Sequence, residues 1–155
     1  MIEIYPNLYV GGGTDCQHGT EEMAVVHATK VCHRRVLQYV GHLASIHPNY
    51  LALRDNEDLY MNLIDPKLPL FKKESFKIFM KFANEQLALD NRTLMIHCSS
   101  GLSRAPSLAM VLYKHLEGFD SYDYDFCRRG FERLYPAYDP GAGIECFMRQ
   151  EWSLL

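Results

Sequence analysis

Cys98 and Arg104 lie six positions apart, separated by Ser99-Ser100-Gly101-Leu102-Ser103. An apolar run, Thr93-Leu94-Met95-Ile96, leads into His97 and Cys98. A helical pattern, Leu108-Ala109-Met110-Val111-Leu112, follows. A strand, a short loop and a helix start in that order direct several backbone N–H groups at one point, and the helix terminus adds partial positive charge. An anion the size of phosphate fits such a place. A cysteine in that field, beside a guanidinium, favours its thiolate form, and a thiolate beneath a phosphate is a nucleophile aimed at phosphorus. Arg104 adds a planar, permanently charged fork for two phosphate oxygens. Gly101 suits the loop because glycine takes positive φ and lets backbone approach a ligand.

Cleaving a phosphate ester by this route would also call for a proton on the departing oxygen. Asp65 stands where the run Leu59-Tyr60-Met61-Asn62-Leu63-Ile64 meets Pro66, at the end of an expected strand and the start of a loop that can move over a ligand. Asp55 and Asp58, ahead of that strand, are the alternatives.

Other elements must hold these groups. Residues 2–5 and 8–10 read as short β pieces joined by the turn Pro6-Asn7. Gly11-Gly12-Gly13 then breaks the chain, without the G-x-G-x-x-G spacing of a dinucleotide site. Residues 23–27 read as a buried parallel strand. The stretch 28–58 reads as a surface segment with one short helix, and Lys30, His33, Arg34 or Arg35 are its candidates for shaping an entrance. Phe76, Met80, Ala83 and Leu87 share one face of a helix over 71–90, and Phe79 widens the stripe. That helix returns the chain so that 93–97 can join the sheet in parallel. After the loop, Pro106 fits a first helical turn, Leu108, Val111, Leu112 and Leu116 form a buried face, and Gly118 ends the helix. A helix over 121–134 offers Tyr122, Phe126 and Phe131 for packing. A closing helix over 143–152 turns Ile144, Phe147, Met148 and Trp152 inward. The expected fold class is α/β, a central mostly parallel sheet flanked by helices, as one domain over 1–155. The loop falls at the carboxyl end of a strand, where open α/β sheets place ligands.

The pattern His97-Cys98-x-x-Gly101-x-x-Arg104 resembles the signature loop of the cysteine-dependent protein tyrosine phosphatases, and the chain length resembles their dual-specificity branch. Two further stretches carry the same resemblance. Ile4-x-Pro6-x-Leu8-Tyr9-x-Gly11 is similar to the family's opening. Pro136-x-x-x-Pro140-x-x-Gly143-Ile144-x-x-Phe147 is similar to its C-terminal region. The resemblance implies that Cys98 forms a phosphocysteine intermediate, that Arg104 clamps the phosphate, and that the N–H groups of Ser99, Ser100, Gly101, Leu102, Ser103 and Arg104 cradle it. It implies that His97 supports the loop. Asp65, 33 residues before Cys98, matches the family's general acid. The implied activity is a protein phosphatase acting on phosphotyrosine and on phosphoserine or phosphothreonine. The loop interior holds no Lys or Arg, which favours a phosphorylated protein or peptide over an inositol phosphate. One position departs from the family: Ala105 stands where a Ser or Thr hydroxyl usually assists loss of the thiolate. The alternative is therefore a phosphate-binding pseudophosphatase or a slow enzyme, with Ser103 and Ser107 as nearby hydroxyls.

Composition agrees with a soluble, reducing setting. Net charge is −3 and hydrophobic content 48%, so neither nucleic acid nor an anionic membrane is an expected partner. No run approaches the roughly 20 apolar residues of a membrane helix, and the N-terminus is not a secretory signal. The five cysteines, Cys16, Cys32, Cys98, Cys127 and Cys146, are odd in number and irregular in spacing, which points to a cytoplasmic location rather than a disulfide framework. Cys16 or Cys32 is a candidate to pair with Cys98 on oxidation. His27, Cys32 and His33 match no metal-ligand spacing, so no metal or other cofactor is expected, and the chain is expected to act as a monomer.

Overall fold

The computed structural model of the chain describes residues 1–155. Asn7, at φ 63°, takes the left-handed conformation that asparagine tolerates. It folds β1 (Ile2–Tyr5) back antiparallel on β2 (Leu8–Gly11). β3 (Met23–His27), β4 (Ala52–Asp55), β5 (Asp58–Met61) and β6 (Thr93–His97) complete a six-stranded sheet of order β1-β2-β6-β3-β5-β4. The inner pairs β2–β6, β6–β3 and β3–β5 are parallel, and the edges β1 and β4 are antiparallel. Gly11 and His27 are register partners of His97 on its two sides. The chain therefore leaves the sheet level with both neighbours at the residue before Cys98.

Alternation along the strands divides the sheet into two faces. Ala24, Val26, Leu59, Met61, Leu94 and Ile96 join the main core. There they meet α2 (Lys73–Leu87), α3 (Arg104–Leu116), α4 (Tyr124–Leu134) and α5 (Ala142–Glu151). Phe76, Phe79 and Phe82 of α2, Leu108, Val111 and Leu112 of α3, Phe131 of α4 and Met148 of α5 are buried in it. Each such side chain contributes on the order of 1.5–3 kcal/mol by leaving water. Val25, Met95, Tyr60, His27 and His97 occupy the opposite face, where α1 (Lys30–Leu37) lies. Thr29 caps α1 by accepting from Val31 N at 3.3 Å, and Asp123 caps α4 by accepting from Phe126 N at 2.7 Å.

This is the expected α/β architecture with helices on both faces, and the structure adjusts three elements. The stretch 28–58 contains the expected short helix but also β4, paired to β5 through a tight hairpin with Asn56 at φ 51°. Its charged tip, Arg54-Asp55-Asn56-Glu57, conceals the strand in the sequence. β5 stops at Met61 rather than Ile64, because Leu63 turns its carbonyl to Lys30 N at 2.8 Å and to Arg104 Nη1 at 3.0 Å. In the helix expected over 121–134, the Asp123 cap sets the phase. Tyr124 and Cys127 go inside, while Tyr122 and Phe126 stay exposed and stack on each other at 4.2 Å.

Candidate active site

The loop from Cys98 to Ser103 is held from outside by its carbonyls. Ser99 O accepts from Gly13 N at 3.1 Å, Gly101 O from the Tyr135 hydroxyl at 2.9 Å, and Leu102 O from Asp139 N at 2.9 Å. Cys98 N donates to Gly11 O at 3.4 Å. With the carbonyls turned outward, the N–H groups of Ser99, Ser100, Ser103 and Arg104 meet no protein acceptor, and Gly101 N points at Cys98 Sγ from 3.3 Å. The α3 terminus has no side-chain cap, because the Ser103 hydroxyl accepts instead from Gly141 N at 2.9 Å. Backbone donors and a helix terminus thus face one buried sulfur, which is an anion-binding geometry.

Glycines make this packing possible. Gly101 sits at φ 75°, and a Cβ there would lie 3.1 Å from Gly12 N and 3.2 Å from Gly11 O. A Cβ on Gly12 would lie 3.3 Å from Ser100 O, and one on Gly13 3.0 Å from Ser99 O. The triple glycine, which the sequence offers only as a chain break, is the bed on which the loop lies.

Arg104 is folded over the loop. Its Nη1 donates to Leu63 O and its Nη2 to Ser99 Oγ at 3.1 Å, while Nε is buried without a hydrogen-bond partner. Asp65 Oδ2 stands 4.0 Å from that Nε, and the Asp65 side chain is 26% exposed. The Asp65 side chain rests on the loop before α5: a Cβ on Gly141 would come within 2.5 Å of Asp65 Oδ1. A Cβ on Gly143 would collide with the carbonyls of Pro66 and Leu68. These two glycines therefore seat the loop that carries Asp65, and nothing local in the sequence marks that role. Asp55 is exposed at the sheet edge, and Asp58 is buried on the opposite face, so Asp65 alone of the three aspartates stands beside Arg104.

A cavity of about 280 Å³ opens at the site between Thr29, Lys30, Arg34, Asp65, Ser99 and Arg104. A second, of about 370 Å³, adjoins it through Lys30, Leu63 and Ile64 and extends past His42, Tyr50 and Lys72. Of the entrance candidates, Lys30 and Arg34 are brought to the site. His33 is buried against the Tyr39 hydroxyl (3.0 Å) and Asn49 O (2.8 Å), and Arg35 lines a different cavity.

Beneath the loop runs a buried chain of polar rings. His97 Nε2 is 2.7 Å from His27 Nδ1, and His27 Nε2 is 3.0 Å from Asp58 Oδ1. Burial, and then the adjacent His27 ring, pull His97 down to about 4. Burial also lowers His27, against the opposing pull of Asp58. Two neutral rings satisfy the chain: His27 donates to Asp58 and accepts from His97.

The hydroxyls near Ala105 are already engaged. Ser107 Oγ pairs with the Tyr138 hydroxyl at 3.0 Å, and Ser103 is tied to Gly141. Ala105 itself is fully buried in the core. The Ser99 hydroxyl lies between Arg104 Nη2 at 3.1 Å and Thr29 Oγ1 at 3.3 Å, and the Ser100 hydroxyl accepts from Leu102 N at 3.2 Å, so that one of the expected cradle N–H groups is taken up within the loop. Cys16 and Cys32 face each other at 3.8 Å on the His27 side of the sheet, whereas Cys98 belongs to the main core. The pairing of either with Cys98 expected on oxidation is thus not prepared by the fold, because the strand's alternation puts them on different faces.

No protein-family model matches the chain. Solved structures do. DUSP15 is similar at 17% identity and a TM-score of 0.64, over 97% of this chain and 86% of that one. The Cydia pomonella PTP-2 phosphatase is similar at 16% identity and 0.65, over 97% and 88%. The human tyrosine phosphatase-like serine/threonine/tyrosine-interacting protein is similar at 14% identity and 0.66, over 98% and 95%. With the sheet order, the loop at the carboxyl end of β6 and these likenesses across nearly the whole chain, the protein has the dual-specificity phosphatase fold.

Proposed function

We propose that the protein hydrolyses phosphate monoesters on protein side chains through a phosphocysteine at Cys98. The observation that carries this reading is the convergence of unpartnered loop N–H groups, a buried sulfur and the free Nε of Arg104 on one point. In the first step Cys98 Sγ attacks phosphorus, the P–O bond to the leaving group breaks, and Asp65 protonates the departing oxygen. In the second, Asp65 takes a proton from water, whose oxygen displaces the thiolate. The loop amides and Arg104 hold the charge of the transferring phosphoryl group throughout. Phosphotyrosine is the first substrate class, with phosphoserine and phosphothreonine beside it. The adjoining cavity past His42 and Tyr50 is the place for flanking peptide residues. Lys30 and Arg34 at the rim favour an acidic neighbour.

A second reading, phosphate binding with slow turnover, has its own observation. Ala105 brings no hydroxyl, and Ser103 and Ser107 are committed to Gly141 and Tyr138. One of the similar structures is itself named tyrosine phosphatase-like. Rapid mixing with p-nitrophenyl phosphate separates the readings. Steady release that vanishes in Cys98→Ser supports the phosphatase. A burst followed by a slow phase, quickened in Ala105→Ser, supports a throttled second step. Tight phosphopeptide binding without release from any form supports the binding module.

A further inference from the structure

Four potential metal ligands from distant parts of the chain meet on the sheet face opposite the main core. Cys16 follows the 3-10 turn Gly13–Asp15, His27 ends β3, Cys32 lies in α1, and His97 ends β6. One ligand atom from each, all four within 4.8 Å of one another, makes a compact Cys2His2 set. We infer that Cys16, His27, Cys32 and His97 form a binding site for one zinc-class divalent cation, on the sheet face opposite Cys98.

The geometry suits that ion. Tetrahedral zinc, with Zn–S near 2.3 Å and Zn–N near 2.0–2.1 Å, separates two sulfurs by about 3.8 Å, a sulfur and a nitrogen by about 3.6 Å, and two nitrogens by about 3.3 Å. Here Sγ of Cys16 is 3.8 Å from Sγ of Cys32 and 3.9 Å from His27 Nδ1. The two ring nitrogens are 2.7 Å apart because they share a proton, so they must part by about 0.6 Å when a cation takes its place.

The surroundings orient the ligands. Asp58 accepts from His27 Nε2 and so turns the Nδ1 lone pair toward the cysteines, the carboxylate–histidine arrangement found behind metal sites. Gly19 N, donating to Asp58 at 2.8 Å, holds that carboxylate in turn. His97 Nδ1 is buried without a partner. Taking up the cation gives up the His97 Nε2 bond to His27, and no hydrogen bond at Nδ1 opposes the proton's move there, which frees Nε2 for the cation. Access comes from a cavity of about 220 Å³ between Cys16, His18, Cys32, Arg35 and Tyr60, and Cys16 itself is exposed.

The charges balance. Both thiols lose a proton to solvent, two cation–sulfur bonds form, the His97 proton moves from Nε2 to Nδ1, and the two thiolates neutralise the dication. The thiolate pair selects zinc, cobalt or cadmium over magnesium and calcium. The sequence hides the set because its members are scattered, and because His33, beside Cys32, faces away to Tyr39 and Asn49.

Cobalt(II) titrated into the full, reduced chain tests this. One Co²⁺ per chain is expected, with the intense visible bands of tetrahedral cobalt and a thiolate charge-transfer band, equal in parent and in Cys98→Ser, and erased by one equivalent of Zn²⁺. Cys16→Ser, at an exposed position, is expected to lose about half of the charge-transfer intensity and to weaken binding at least about tenfold. In the unmutated protein, Zn²⁺ is expected to shield Cys16 and Cys32, but not Cys146, from alkylation. Weak octahedral spectra, a spectrum untouched by Cys16→Ser, a spectrum lost in Cys98→Ser, or unshielded thiols would overturn the assignment.

Discussion

Gly141→Ala probes Asp65, the proposed acid, from behind. Gly141 sits at φ −59° and ψ 149°, a conformation that alanine adopts freely. The backbone therefore carries no strain, and the loss of glycine's freedom in the unfolded chain contributes about 0.4–1 kcal/mol of stability. The added methyl, however, lies 2.5 Å from Asp65 Oδ1 and 3.2 Å from its Cγ. Reaching ordinary contact, about 3.5 Å, displaces the carboxyl by about 1 Å. A misplacement of that size costs roughly 100-fold when the moved group takes part in the chemistry. The loss should scale with how much the leaving group needs a proton. With phenyl phosphate, the first-step rate is expected to fall about 100-fold, and with p-nitrophenyl phosphate, whose phenolate leaves readily, by less than about tenfold. Stopped-flow single turnovers on both esters, beside a thermal melt, make the measurement. Equal losses on the two esters, or no loss on either in a variant that melts at or above the parent's temperature, would refute the placement of Asp65 as the acid.

Three further substitutions test neighbouring parts of the account. Asp65→Asn keeps the shape and removes the proton, so phenyl phosphate turnover is expected to fall about 100- to 10,000-fold while phosphate affinity is unchanged, as a competition assay reads directly. Arg104→Lys loses the fork and its bond to Leu63 O; turnover is expected to fall about 100- to 1,000-fold with little change in fold by circular dichroism. Gly101→Ala forces a side chain to φ 75° and against Gly11 and Gly12, so urea unfolding should show a loss of about 1–3 kcal/mol, together with loss of phosphate binding.

The sequence made the loop legible because its information is local. A thiol, a guanidinium and a glycine at fixed spacing between a strand and a helix need no distant partner to be recognised. The opening at 4–11 and the ending at 136–147 extended that reading to the whole architecture, and β3, β6 and α3 follow from apolar pattern alone. What stayed hidden depends on contacts between distant residues. Gly12 and Gly13 matter because Ser99 and Ser100 lie on them. Gly141 matters because Asp65 does. Ser107 is removed from consideration only by Tyr138, which sits 31 residues away. β4 carries charge on an exposed edge and so lacks the apolar alternation that marks a strand. The Cys16, His27, Cys32 and His97 set draws on four segments with no shared spacing. Tyr122 and Phe126 show the opposite failure, since aromatic residues at helical spacing look like core until the Asp123 cap fixes which face turns inward.

The central claim is covalent: the phosphoryl group passes through the sulfur of Cys98. The most direct test is to mix the protein with p-nitrophenyl phosphate, quench in acid within the first turnover, and locate the phosphoryl group by peptide mass. The account places one phosphoryl group on the peptide containing Cys98, lost in Cys98→Ser and shorter-lived in Ala105→Ser. Release of p-nitrophenol with no phosphoryl group on Cys98 at any quench time, or at an unchanged rate in Cys98→Ser, would contradict it.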